Sequence, residues 1–183
     1  MPKEKTTRRL WDSFAAESAA AMKYSFYAQA ARREGYQQIA EILDQTAANE
    51  TMHAKLWLNA LEEMASGEQK GDTVKNLTKA AQGEHEEWTK QYPECAADAR
   101  AEGEEMIAQR FERVAAIEAS HEKRFRKLIE NLESGQVFSR PQEPATVWRC
   151  RVCGHLHTGP EAPKACPVCA HAQAFFELDT ENY

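Results

Sequence analysis

Apolar residues recur three and four positions apart in four stretches, each closed by a glycine or a proline. The first runs through Leu10, Phe14, Ala21, Tyr24, Ala28 and Ala31 and stops near Gly35. The second runs through Ile39, Leu43, Trp57, Ala60 and Met64 and stops at Ser66-Gly67. The third follows Gly71-Asp72 and runs through Leu77, Ala81 and Trp88 toward Pro93. The fourth runs through Ile107, Phe111, Val114, Phe125, Leu128 and Leu132 and stops at Gly135. Such spacing gathers the apolar side chains on one face of a helix. Four long amphipathic helices with mostly short connections predict an all-α four-helix bundle. Pro93 is expected to kink or end the third helix, because proline removes a helix hydrogen bond.

Each stripe is interrupted on its own face by a polar residue: Glu17 in the first, Glu50 and His53 in the second, Glu84 in the third, Glu118 and His121 in the fourth. Burying a carboxylate without a partner costs on the order of several kcal/mol. One such residue is ordinary at the edge of a stripe. One in every helix asks for a common cause. The window Ala48-Asn49-Glu50-Thr51-Met52-His53-Ala54-Lys55 also repeats in register as Ala116-Ile117-Glu118-Ala119-Ser120-His121-Glu122-Lys123. The chain therefore reads as two helical hairpins, each carrying a lone Glu and then a Glu-x-x-His.

Glu and His three residues apart share a helix face. Two such motifs with one further Glu from each remaining helix supply four carboxylates and two imidazoles. That is the donor set of a dinuclear iron or manganese site in a bundle core. Glu87, three residues after Glu84, is a candidate fifth carboxylate. Five carboxylates against two Fe(II), or against two Fe(III) with an oxide, both leave one negative charge. A constant site charge avoids stranding charge in the interior. His85 and Glu86 fall elsewhere on the helix wheel and read as non-ligands.

Composition changes sharply near residue 139. Four of the five cysteines lie within 150–169, and five of the seven prolines follow residue 140. This divides the chain into a bundle, 1–138, and a small loop-rich β module, 139–183. In the module Cys150-x-x-Cys153 and Cys166-x-x-Cys169 are separated by 12 residues. Two such knuckles build a tetrahedral four-sulfur site, which suits zinc or iron. A module this small needs a metal staple, and Trp148, Phe175 and Phe176 are its candidate core. Cys95 has no partner by spacing.

The formal charge of the 183 residues is −6, with 42% hydrophobic residues. No basic stripe points to nucleic acid. No apolar run has the roughly 20 residues needed to cross a membrane, and the amino-terminal segment lacks the apolar core of a secretory signal. A cytoplasmic location is expected. Part of the acidic balance is metal-binding charge rather than surface charge.

The combined motifs resemble the rubrerythrin family across essentially the whole chain. The matching residues are Ala16-Glu17-Ser18, Glu50-x-x-His53, Gly83-Glu84-His85-Glu86-Glu87, Glu118-x-x-His121-Glu122-Lys123-Arg124-Phe125, and Trp148-Arg149-Cys150 onward. The resemblance implies a ferritin-like bundle holding two non-haem irons bridged by oxide and carboxylate, followed by a rubredoxin-like domain with one iron on Cys150, Cys153, Cys166 and Cys169. It assigns Glu17, Glu50, Glu87, Glu118 and His121 to one bundle iron. Glu84 and His53, with the bridging Glu50 and Glu118, go to the other. His53 and Glu87 would exchange as ligands with redox state, and Tyr24 and Tyr92 would donate hydrogen bonds nearby. The implied activity is reduction of hydrogen peroxide to water in oxidative-stress defence. Electrons would come from a rubredoxin or an NAD(P)H-dependent reductase, because this chain has no Gly-rich dinucleotide motif.

The resemblance also implies a homodimer or larger homo-oligomer in which one chain's tail approaches another chain's diiron site. Some members exchange helices between chains, for which segment 66–72 would be the hinge. The alternative activity is a ferroxidase or iron-storage role on the same bundle. A third reading gives both sites to zinc for fold stability alone.

Overall fold

The computed structural model describes residues 4–66, 72–143 and 145–179. The expected hinge at 66–72 falls largely outside them. The chain forms two compact units, Met1–Lys70 and Gly71–Tyr183.

The first unit is a hairpin of α1 (Glu4–Arg33) and α2 (Gln37–Ser66). Its turn is made by Gly35 at φ +88°, a left-handed conformation that costs a glycine nothing extra. The Tyr36 N–H donates to the Ala31 carbonyl at 2.9 Å and the Gly35 N–H to the Arg32 carbonyl at 3.1 Å, so the last turn of α1 closes on itself. Just below the turn Ala28, Ala31 and Ala40 are buried with Leu43 against them. Side chains this small let the two helices approach closely.

The second unit begins with α3 (Thr73–Glu86). The Asp72 carboxylate caps it, accepting from the Val74 N–H at 2.8 Å and the Lys75 N–H at 3.4 Å. The rod continues through a π-helical turn, Glu87–Gln91, into α4 (Tyr92–Ala101). It turns at Gly103, φ +86°, and returns as α5 (Glu105–Glu133). The same two-bond closure recurs, with the Glu104 N–H donating to the Ala99 carbonyl at 2.8 Å. Ala96, Ala99 and Ala108 with Phe111 rebuild the alanine contact of the first hairpin.

Pro93 neither ends nor interrupts this rod. It lies in the first turn of α4, directly after the π-turn, where the Tyr92 N–H reaches back to the Glu87 carbonyl. The wider turn gives the ring room and removes the demand for an N–H at position 93. The repeat explains why the π-turn is there. Sixty-seven residues separate Glu17 from Glu84, whereas 68 separate Tyr24 from Tyr92, Ala28 from Ala96, Gly35 from Gly103 and Glu50 from Glu118. The second hairpin holds one extra residue between Glu84 and Tyr92. A single residue added to an α-helix is absorbed as a π-turn.

After α5 come three short antiparallel strands in the order β2-β1-β3: β1 (Val147–Cys150), β2 (Leu156–Thr158) and β3 (Phe176–Leu178). Trp148, Cys150, Ala162, Cys166 and Phe176 form the core, with Phe138 and Cys169 packed on it. The Trp148 indole N–H donates to the Gly159 carbonyl at 2.9 Å. Phe175, an expected core residue, is instead 44% exposed and meets His171 edge to face at 5.0 Å.

Candidate metal centres

Three donor clusters stand out among the described residues: Glu17, Glu50 and His53; Glu84, Glu118 and His121; and Cys150, Cys153, Cys166 and Cys169. In each cluster the donor atoms lie within 4.8 Å of one another.

The first triad lies at mid-height of the α1–α2 hairpin. His53 Nδ1 is 2.7 Å from Glu50 Oε2 and 4.0 Å from Glu17 Oε1. The second occupies the same level of its own hairpin, with His121 Nδ1 2.6 Å from Glu118 Oε2 and 3.7 Å from Glu84 Oε1. It is the more enclosed of the two: the Glu118 side chain is 13% exposed and Glu84 21%, against 18% for Glu50 and 30% for Glu17. Burial first, then the hydrogen bond and negative charge of Glu118, raise the Glu84 pKa above the usual carboxylate value. His121 opposes that rise. Without a cation the Glu84 carboxyl therefore holds its proton more tightly than an ordinary carboxyl.

Glu87 lies outside the tight second triad, although its charge is felt by Glu84. It opens the π-turn and is hydrogen-bonded to Tyr92. Burial, then the charges of Glu87 and Glu118, push the Tyr92 hydroxyl pKa up, so it stays protonated and able to donate. The Tyr92 ring stacks on Phe111 at 5.9 Å. Tyr24, its counterpart in the first hairpin, is half-buried and sits 6.4 Å from Tyr27.

Residues outside the expected ligand set complete the second site. Glu122, next to His121, is buried and accepts three side-chain donors. Two of them, His85 and Trp88, come from the α3 side; the sequence reads His85 as a non-ligand and Trp88 as part of the third apolar stripe. The available signal was their i, i+3 spacing, which puts both on one face of the helix.

In the tail Cys150 Sγ is 3.7 Å from Cys169 Sγ, and Cys153 Sγ is 3.6 Å from Cys166 Sγ. A disulfide is about 2.0 Å long, so these are not disulfides. A tetrahedron with metal–sulfur bonds of about 2.3 Å has edges of about 3.8 Å, which the observed separations match. The knuckle backbone already favours charge on sulfur. The Cys153 N–H lowers the Cys150 pKa. Burial alone would raise Cys166, but the Cys169 and Val168 N–H groups outweigh it and bring its pKa down to about 7. At Cys169 the His171 N–H favours thiolate, yet burial and the three other sulfurs push the pKa up to about 12. Four thiolates this close need a cation, and the geometry fits one.

Two carboxylate–imidazole clusters, one on each of two helical hairpins, followed by a four-sulfur module, define a class: ferritin-like diiron carboxylate proteins with a rubredoxin-like domain. The known families agree. Residues 9–129 match the rubrerythrin family, and residues 148–177 match the rubrerythrin rubredoxin-like domain. The chain is 43% identical to rubrerythrin-1 of Clostridium acetobutylicum, covering 98% of this chain and 96% of that one. It is 44% identical to the rubrerythrin of Porphyromonas gingivalis, covering 98% and 92%. It is 42% identical to the rubrerythrin of Nitratidesulfovibrio vulgaris, covering 95% and 94%. The chain belongs to the rubrerythrin family, and its donor sets are those of a diiron site and a four-cysteine iron site.

Proposed function

We propose that this protein is a non-haem diiron peroxidase. It reduces hydrogen peroxide to two waters with two electrons and two protons, as part of oxidative-stress defence. The observation that carries this reading is the pairing, in one chain, of carboxylate–imidazole clusters with a tetrathiolate site. A ferroxidase draws electrons from its iron substrate and has no use for a second, electron-delivering centre. Irons held by the bundle donors would supply the two electrons for O–O cleavage, and an iron held by Cys150, Cys153, Cys166 and Cys169 would supply electrons to replace them.

The protein's own groups hold and protonate. Glu17, Glu50, Glu84, Glu87, Glu118, His53 and His121 hold the bundle metals. The Tyr92 hydroxyl, protonated beside Glu87, is the proton and hydrogen-bond donor on the second-hairpin side. Tyr24 takes the corresponding place on the first. Electrons enter from a separate rubredoxin or NAD(P)H-dependent reductase. The cytoplasm, where thiols stay reduced, fits the cysteine usage. No helix among the described residues is long and apolar enough to cross a membrane.

The decisive experiment is stopped-flow oxidation of the fully reduced protein by peroxide and, separately, by dioxygen. Much faster oxidation by peroxide supports the reading. Faster oxidation by dioxygen, with iron retained as a mineral core, would hand the protein to ferroxidase chemistry.

We also infer a homo-oligomer in which each diiron site draws its two hairpins from different copies. A ferritin-like bundle needs one long crossover between its helix pairs. Here only residues 67–71 separate Ser66, which ends α2, from the Asp72 cap. Six residue steps reach at most about 22 Å, whereas the 30 residues of α2 span about 45 Å. The first hairpin also exposes Met22, Phe26, Ile42, Met52 and Leu56, an apolar face suited to a partner. Co-expression of Glu50→Ala chains with Glu118→Ala chains tests this. Mixed assemblies should regain one intact diiron site. No regain would place both hairpins of a site in one chain.

A further inference from the structure

The two hairpins share a lone Glu and a Glu-x-x-His, the second adding Glu87, but their supports are unequal, and the difference centres on Glu122. At the 68-residue offset its counterpart is Ala54. Both positions are buried, and Glu122 is the only buried charged residue among the described ones. A buried carboxylate must be bonded on all sides to persist, and this one is. Its Oε2 accepts from Trp88 Nε1 at 2.5 Å and from His85 Nδ1 at 3.0 Å, while its Oε1 accepts from Arg126 Nε at 2.6 Å. The Trp88 N–H bond, opposed by burial and reinforced by His85 and Arg126, brings its pKa down to about 2, so the acceptor is charged at neutral pH.

The placement of those donors matters. His85 and Trp88 immediately follow Glu84 and Glu87, and the two rings lock edge to face at 5.6 Å and 89°. Glu122 immediately follows His121. One carboxylate on α5 therefore grips the helix segment that presents Glu84 and Glu87, one residue away from the ligand it neighbours. Any rotation or slide of α3 against α5 must break charge-assisted hydrogen bonds, the stronger kind. Among the described residues the first hairpin has no buried carboxylate of this kind. At the 67-residue offset Ser18 stands in place of His85, and its hydroxyl bonds back to its own helix at the Phe14 carbonyl, 2.7 Å. Ala21 stands in place of Trp88.

We propose that Glu122 is a positioning residue, which holds Glu84 and Glu87 in register with Glu118 and His121 so that the second triad is assembled before metal arrives. The proposal rests on the diiron reading. Partners behind metal ligands typically change metal affinity 10–100-fold. The test is anaerobic Co(II) titration of the metal-free full-length protein and its Glu122→Ala, Glu122→Gln and Trp88→Phe variants. Thiolate-to-cobalt absorption separates the tail ion from the bundle ions. Thermal melts of the metal-free proteins run in parallel.

Glu122→Ala should weaken one bundle ion about 10-fold or more and leave the tail ion unchanged. Glu122→Gln, which keeps an acceptor for the indole, should recover part of the loss. A variant that melts earlier yet binds both bundle ions with wild-type affinity would make Glu122 a stability residue only and overturn the proposal. Should Glu122→Ala not fold, Trp88→Phe keeps the carboxylate and removes its shortest bond. It must weaken the same ion by a smaller factor, and unchanged affinity overturns the proposal again. Wild-type protein taking up fewer than two bundle ions would instead bring down the diiron reading, and this inference with it.

Discussion

The α1–α2 and α3–α5 hairpins are two versions of one design. Their turns, alanine contacts, tyrosines and Glu-x-x-His motifs coincide at a 68-residue offset. Among their differences, one inserted residue and three side chains bear directly on the second donor cluster. The insertion makes the π-turn that begins at Glu87. The side chains are His85, Trp88 and Glu122, against Ser18, Ala21 and Ala54. Among the described residues the first triad has no counterpart of the Glu122 hydrogen bonds, whereas the second triad is clasped by them.

The most severe way to break the comparison is to remove a carboxylate that each half cannot replace. Glu50→Ala and Glu118→Ala should each abolish binding of at least one bundle ion while the tail keeps its own, as metal analysis per chain would show. Equal losses would mean that the halves share the ions evenly. Next in size is the π-turn itself. Deleting Lys90 restores the 67-residue offset throughout and turns everything before it by about 100° relative to Tyr92. Helix content by circular dichroism should barely change. Binding of one bundle ion should fall at least tenfold, because Glu84 leaves the face it shares with Glu118. Retained affinity would mean that the turn is an incidental accommodation of Pro93.

Much of this plan was legible beforehand, and the illegible part has a definite character. The 3–4 spacing of apolar residues marked the helices because each helix buries only one stripe. The two donor triads were legible because Glu and His interrupt that stripe, where an unpaired charge is too costly to be casual. The clasp was not. His85 sits in the run Glu84-His85-Glu86-Glu87, and Glu122 in His121-Glu122-Lys123-Arg124. On a helix wheel such residues look solvated, and only the pairing of α3 with α5 shows that Glu122 is covered. Pro93 misled for a related reason. Its effect depends on the backbone before it, and a π-turn there cancels the usual break. Phe175 was expected inside, but the space beside Trp148 is filled by Phe176 and Phe138.

Acid should distinguish the hairpins through Glu122. Its folded pKa, about 2, lies below the ordinary 4.5. It therefore adds stability that is complete above about pH 4.5 and is lost as pH falls toward 2. Glu84 acts in the opposite sense. Its raised pKa means that the metal-free second hairpin binds an extra proton, and it loses that contribution as pH rises above 4.5 through the folded value. The metal-free protein should thus lose second-hairpin stability in acid, and Glu122→Gln should flatten this acid limb. Hydrogen exchange resolved by helix reads both hairpins in one sample. A variant with an unaltered acid limb would remove Glu122 as its source.

The smallest effects should be the same in both halves. Gly35 and Gly103 hold φ near +88° and +86° with open space where a Cβ would stand. Alanine at either position meets no clash, so the only cost is the left-handed backbone, about 1–2 kcal/mol. Gly35→Ala and Gly103→Ala should lower the stability of their own hairpins by equal amounts and leave bundle metal affinity unchanged, because the triads lie several turns away. Equality would show that the hairpins share one scaffold and differ only around the metal. A markedly greater loss for Gly103→Ala would mean that the clasp reaches the turn through the π-helical rod, and that α3, α4 and α5 unfold as a single cooperative piece.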